Sequence, residues 1–396
     1  MTLDRRTFAA LLALSAAYFT LGTGSLAVIG LLPPMAADLR TSPAAIANLL
    51  TVFALTFALA APLSQVLLGH LPRRTLLLGG LTVMSLASIA GALAWSYGFL
   101  FTTRLVMGVG AAAVGPMALA VAAGLTPPEH QGRALAIAFS GMMLATVLGV
   151  PLSAWLGELV GWRVVLLAIG LIGLGAAAAV FRLVHDRSAG GRVRIATLLS
   201  AVVRRRSGLS VATTLLQMAA QFATYALLLP YLTDHAGVDA RWGAVALFMF
   251  GIGGLVGNLL AGRLADSIGA DRTVAISLGG VALTFVGMIV APPGLVPTFA
   301  LLAVWAVTGI LFQAPQQKRL VAIDPAARGL LLSLNSSALY LGMSLGAFLA
   351  GEVLRGFGAG ALPIGSLLLA GLAAACFAGS RESVRVRTAL ASRKAD

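Results

Sequence analysis

HDRSAGGRVRIATLLSAVVRRRS, residues 185–207, is the longest polar interruption in an otherwise apolar chain. It carries Arg187, Arg192, Arg194 and the run Arg204, Arg205, Arg206. On either side of it lie apolar runs of about 20 residues, the length that crosses a bilayer core of roughly 30 Å. They fall near 8–33, 44–69, 75–95, 99–124, 133–158 and 163–184 before the interruption, and 208–233, 242–265, 273–291, 297–317, 329–354 and 360–379 after it. Six spans therefore stand on each side of a basic link. The expected fold is an all-α polytopic membrane protein of twelve transmembrane helices in two pseudo-symmetric six-helix bundles, 1–185 and 208–396, joined by the linker 186–207. Within the linker, Ile195 to Val203 reads either as an interfacial helix or as a plain tether.

Composition agrees with this reading. The chain is 59% hydrophobic and 10% charged, with a mean hydropathy of +0.97. Of its 27 Lys and Arg, four (Arg40, Arg163, Arg241, Arg355) fall at the ends of spans opposite the termini, and Arg104 falls inside a span. All the others lie on the side of the termini. That asymmetry orients both termini of a multi-pass membrane protein to the cytoplasm. The net charge of +14 is then a property of topology and of contact with anionic lipid, and no aromatic-interleaved basic patch points to nucleic acid. The single Cys376 cannot form an internal disulfide. Arg5 and Arg6 flank a full-length first span and do not open a short export signal.

The halves repeat each other. Gly69-His70-Leu71-Pro72 after the second span matches Gly262-Arg263-Leu264-Ala265 after the eighth, and Arg133 and Arg328 open the fifth and eleventh. Gly141, Ala145 and Gly149, followed by Pro151, recur every fourth residue in span five; Gly342, Gly346 and Ala350 do so in span eleven. Such stripes let a neighbouring backbone approach closely, and a smooth face can also slide during gating.

These residues resemble the major facilitator superfamily, in particular its twelve-span drug:proton antiporter branch: bacterial arabinose-efflux-like, purine-nucleoside-efflux-like and chloramphenicol-efflux-like permeases. The resemblance rests on the order of motifs along nearly the whole chain. Gly262 to Asp266 with Gly269 and Arg272 is similar to the family's cytoplasmic loop. Arg104 with Gly108 resembles its fourth-span motif, and Gly141 to Pro151 its fifth-span antiporter motif. Gly161-Trp162-Arg163 and Asn335-Ser336-Ser337 with Tyr340 and Gly342 are also typical. The resemblance implies alternating access and exchange for protons. Asp266 is expected to pair with Arg272 or with a neighbouring helix N-terminus, latching the bundles.

Arg104 is the one ionisable side chain read inside the hydrocarbon, about 8 Å from the outer end of its span. A charge there is costly and faces a cavity or a partner. Where relatives read G-T-x-E-F in the first span, this chain reads Gly22-Thr23-Gly24-Ser25-Leu26, so Ser25 replaces a carboxylate. If protons are coupled, the candidate carriers are the acids at outer ends, Asp38, Glu158, Asp234 and Glu352, together with Arg104. The neutral polar residues Ser25, Asn48, Gln217, Gln221, Tyr225, Asn258, Gln313 and Asn335 are expected, with Arg104, to line an apolar, hydrogen-bonding substrate cavity. For each of them, helix–helix hydrogen bonding is the equal alternative.

A cavity with no carboxylate suits neutral or weakly charged solutes such as phenicols, nucleosides or sugars. The expected function is efflux of such a molecule, the alternative an uncoupled facilitator or importer on the same fold. Neither a phosphate-binding loop nor a convergent nucleophile, base or metal-ligand pattern occurs, so an enzyme, a cofactor and a bound metal are not expected. The expected partners are a small-molecule substrate, membrane lipid and protons, and the expected state is a monomer.

Overall fold

The computed structural model describes residues 4–127, 130–185, 188, 205–323 and 328–381. The stretch Ile195 to Val203 and nearly all of the basic linker lie outside the described residues, as does the tail beyond Arg381.

The described chain is almost wholly helical. Its spans are α1 (Arg5–Asp38), α2 (Pro43–Leu68), α3 (Arg73–Ala92), α4 (Tyr97–Gly124), α5 (Gln131–Val160), α6 (Trp162–Leu183), α7 (Arg205–Tyr225 with Leu228–Asp234), α8 (Ala240–Ser267), α9 (Ala270–Val290), α10 (Leu295–Ile323), α11 (Leu331–Phe357) and α12 (Ala359–Ser380). Eleven are long and apolar enough to cross a membrane, and α7 completes the twelve as a pair of helices bent by 43°. The expected twelve-span fold is the one observed.

Three spans depart from regular α geometry. α7 breaks at Ala226–Leu227, where Leu227 leaves the helical region (φ −120°, ψ 32°). α10 is interrupted between Ile310 and Gln313. It then continues to Ile323, six residues beyond the expected end at 317. In α5 the residues Ala145–Gly149 form a π turn, in which the Val150 N–H donates to the carbonyl of Ala145. Pro151 follows, and its lack of an N–H removes the next regular bond, which accounts for the wider turn.

Small residues set the packing within each half. Gly141 lies against the Ser15 carbonyl and the Phe19 amide of α1, and Gly149 against Thr23. In the second half, Gly342 lies against the Leu215 carbonyl of α7 and Gly346 against Ala219 and Ala223. The α1–α5 and α7–α11 pairs are thus the same construction used twice.

Among the described residues, the two halves share one buried core at only one end. A cluster containing Val28, Leu32 and Leu50 of the first half continues into Leu228, Tyr231, Met343 and Ala347 of the second. Its members run from the middle of the spans to the end that carries Asp38 and Glu352. At the opposite end the buried clusters are separate: one built on Leu14, Phe57 and Val114, others on Phe312 with Phe377 and on Leu320 with Leu331. Between these ends α2 and α11 stay joined, with Phe57 stacked on Tyr340 at 3.6 Å and Ser344 Oγ donating to the Thr51 carbonyl at 3.0 Å. Gly251 of α8 likewise lies against Thr146 and Val147 in the π turn of α5. The halves are closed together at one membrane face and separate towards the other.

Candidate substrate site

Arg104 is placed by a local rule. It and Gly108 are four residues apart on α4 and share one face. Gly108 has no side chain, so the backbone of α2 approaches at Phe53 and Thr56, where any Cβ would collide. The Phe53 ring then lies beside the guanidinium, 5.6 Å from its carbon, within cation–π range. From α1, the Gly24 carbonyl accepts from Arg104 Nη1 at 2.9 Å, and Met107 Sδ lies 3.1 Å from the same nitrogen. Arg104 is only 2% exposed. Its Nε and Nη2 have no partner. It therefore does not reach to the outer surface but stays between α1, α2 and α4, with part of its donor set unused.

Ser25, next to Gly24, is buried and turns its hydroxyl back onto the Gly22 carbonyl at 2.9 Å. Thr23 is buried with its hydroxyl unpartnered.

In the second half, α7 presents Gln217, fully buried, with both amide atoms unpartnered. One turn on, Gln221 donates to the Gly309 carbonyl at 3.4 Å. Beyond it, Thr224 pairs with Ser366 of α12 at 2.7 Å. Tyr225 stacks on Phe250 at 4.5 Å, and the Trp305 ring meets Phe250 at 5.0 Å and Phe285 at 5.2 Å. Trp305 Nε1 is buried without a partner. The result is an aromatic group that contains an unused indole donor, with the unused Gln217 amide about two turns away along α7. Asn335 is instead consumed within its bundle, accepting from Thr214 Oγ1 at 2.7 Å. Gln313 makes only a long contact to Met218 Sδ, 3.5 Å. Asn48 is half-buried near Gly351 of α11, at the closed end. Asn258 is half-buried on α8.

The outer-end acids are not gathered around Arg104. Asp38 pairs with Arg163 and accepts from Trp162 Nε1 at 3.1 Å. Glu352 pairs with Arg355 on its own helix. Asp234 accepts from the neighbouring Thr233 at 2.6 Å, and Glu158 is exposed. Among the described residues no acid shares a hydrogen bond or ion pair with Arg104. The acids sit on the membrane face, where water solvates them, while Arg104 is buried between Phe53 and the α1 backbone.

Asp266 pairs with Lys318 of α10 at 2.6 Å rather than with Arg272, because α10 extends beyond its apolar run and carries Lys318 over the loop. Both partners are exposed, so the pair contributes at most about 1 kcal/mol.

The same extension buries a group that sequence reading missed. Arg319 is 5% exposed. Its Nε donates to Asp271 at 2.6 Å, Nη1 to Ser210 Oγ at 3.2 Å and Nη2 to Ser380 Oγ at 2.5 Å. Gln316, one turn earlier, donates to the Ser210 carbonyl at 2.7 Å and to Thr214 Oγ1 at 3.2 Å. These side chains tie α7, α9, α10 and α12 together. The available signal was Gln316 and Arg319 at i, i+3 across the end of the apolar run, with Asp271 and Ser210 at the same membrane level.

The sequence profile of the Major Facilitator Superfamily matches residues 14–347, and with the fold and duplicated packing described above the chain belongs to that superfamily of membrane transporters. Its relatives include the inner membrane transport protein YdhP of Escherichia coli (strain K12), 31% identical over 92% of this chain and 93% of that protein. A chloramphenicol resistance protein of Streptomyces lividans is 35% identical over 64% of this chain and 66% of its own length. Among solved structures, a bacterial homologue of the human lysosomal transporter Spinster, in an inward-facing and occupied conformation, superposes with a TM-score of 0.68 at 17% identity, covering 93% of this chain and 95% of that one. That likeness concerns the fold.

Proposed function

We propose that this protein is a secondary exporter of a small neutral or weakly charged organic molecule, working by alternating access and exchanging protons. The observation that supports the reading is the one-sided closure of the two bundles, each of which also holds buried donors without partners: Arg104 and Thr23 in one, Gln217 and Trp305 in the other. A solute held between the halves would meet those donors and the Tyr225–Phe250–Trp305 aromatics. Ser25, Asn48, Gln221, Asn258, Gln313 and Asn335 belong to the same proposed cavity. The chloramphenicol resistance relative makes a phenicol the first substrate to try, with nucleosides and sugars next.

The bundles are taken as 1–185 and 208–396, with both termini in the cytoplasm of a bacterial inner membrane and a monomer as the working unit. On that orientation the described state is open to the cytoplasm. No catalytic role is assigned to any residue.

A second reading, an uncoupled facilitator or importer, is favoured by one observation. The outer-end acids are exposed, and Asp38 and Glu352 are already ion-paired, so no proton carrier lies beside Arg104.

Everted vesicles containing the purified protein separate the two. On adding phenicols, nucleosides and sugars in turn, antiport releases protons from an acid interior upon substrate entry. Substrate entry without proton movement, insensitive to uncouplers, establishes the facilitator. Arg104→Ala is expected to insert and fold but transport poorly; full activity would remove Arg104 from the site.

A further inference from the structure

We propose that the groove between α3 and α6, at the end of α3 nearest the α2–α3 link, binds one anionic phospholipid, its phosphate on Arg74 and an acyl chain along Gly79 and Val83. On the orientation given above this is the cytoplasmic leaflet. The site lies on the outer wall of the first bundle and is independent of which solute is carried.

The groove has a volume of about 510 Å³, within the range of sites that take small organic molecules. Its lining runs along α3 from Arg74 and Thr75 past Leu78 and Gly79 to Val83, with Phe181 of α6 opposite. Val83 is nine residues beyond Arg74, about 13 Å along a helix axis. One end of the groove is thus at headgroup level and the other in hydrocarbon. Val83 and Phe181 are 39% and 63% exposed within apolar spans, so they face lipid. Gly79 leaves the space open, since a Cβ there would meet nothing within 4 Å. Arg74 Nη2 donates to the Phe181 carbonyl, and the guanidinium carbon stands 5.0 Å from the centre of the Phe181 ring. Both contacts are to neutral groups. They fix the guanidinium at the mouth of the groove without cancelling its charge. Among the described residues from 70 to 188 the sole acid is Glu158, at the far end of α5. Arg73 and Arg182 adjoin Arg74 and Phe181 in sequence and add positive charge. A phosphate takes charge-assisted bonds from a guanidinium, and basic pockets between spans on the cytoplasmic side recognise anionic headgroups. A free phosphate would satisfy Arg74 but leave the apolar length of the groove unfilled. A zwitterionic lipid would bring its ammonium among these arginines. The occupant that fits both ends is a phospholipid of net negative charge. The second half offers an internal comparison: Gly279 of α9 also faces open space, but the start of that helix carries Asp271, paired with Arg319.

Native mass spectrometry of the full-length protein in detergent tests this, with phosphatidylglycerol, phosphatidylcholine and inorganic phosphate titrated in turn. The wild type is expected to retain one tightest-bound phosphatidylglycerol, with an affinity about tenfold or more above that for phosphatidylcholine, from the charge-assisted bonds. Inorganic phosphate should not displace it. Arg74→Gln should lower the affinity for that lipid by about tenfold, and Arg74→Lys should keep part of it. Arg74 also holds the end of α6, so a second variant leaves it in place. Gly79→Phe fills the open space and should expel the lipid, whereas Gly279→Phe on α9 should retain it. Unchanged phosphatidylglycerol binding in Gly79→Phe, equal binding of the two lipids, or displacement by inorganic phosphate would overturn the proposal. The readout is binding alone, so each of those outcomes leaves the transporter reading standing.

Discussion

Gly141 and Gly342 occupy matching places in the two halves, each pressed against a carbonyl of a central helix, Ser15 on α1 and Leu215 on α7. Backbone cannot move aside as a flexible side chain can. Gly141→Ala and Gly342→Ala should each destabilise by about 1–3 kcal/mol through overpacking, read as a lower unfolding temperature in detergent. Gly371 on α12 faces open space, so Gly371→Ala should be neutral or raise stability by up to about 1 kcal/mol.

The Arg319–Asp271 pair yields a second residue-scale expectation, because its partners are unequally buried, 5% and 36% exposed. Asp271→Asn leaves a buried guanidinium without its counter-charge and should cost about 3 kcal/mol. Arg319→Met leaves an acid that water can reach and should cost less. Unfolding temperatures in the order wild type, Arg319→Met, Asp271→Asn check the ranking; the reverse order would show that the bonds to Ser210 and Ser380 matter more than the charge.

At the scale of elements, the π turn of α5 joins a local rule to a contact between bundles. Pro151 withholds a backbone donor, the turn widens, and the backbone around Thr146 and Val147 meets Gly251 of α8. Pro151→Ala allows the regular turn to re-form. Stability should then stay level or rise by up to about 3 kcal/mol, while transport falls as the α5–α8 contact is lost. Unchanged uptake in vesicles would show the π turn to be irrelevant to transport.

Several elements were legible from periodicity and length alone, and others were not. All twelve spans were readable, because a long apolar run has few other fates. The end of α10 was not: Lys318 and Arg319 look like loop cations until the helix is seen to continue and fold Arg319 under Ser380. For Gln221 and Asn335 a cavity role and helix–helix hydrogen bonding were equally open from sequence, and their bonds to Gly309 and Thr214 stay within one bundle. An amide in an apolar run announces that it needs a partner without saying which neighbour provides it.

For the whole molecule, the shared core at the Asp38 end gives a direct test of alternating access. A Cβ at Gly351 would lie 3.6 Å from the Cβ of Ala44, within the range for a disulfide. In a Cys376→Ser background, the double variant Ala44→Cys with Gly351→Cys should cross-link on oxidation. It should stop transport nearly completely and regain it on reduction. Cross-linking with undiminished transport would mean that this end need not open.

The sequence by itself determined the number of spans, their grouping in six and six, the expected orientation and the isolation of Arg104. Each follows from the cost of placing charge or unpaired backbone in hydrocarbon, a cost paid residue by residue along the chain. Only the tertiary structure decided which end of the bundles is closed, that Asp266 meets Lys318, that Arg319 is buried, and that Arg104 keeps two donors unused. Those outcomes depend on which helix faces meet, and facing is set by packing between segments distant in sequence, where a single turn of extra helix or one π turn changes every partner that follows.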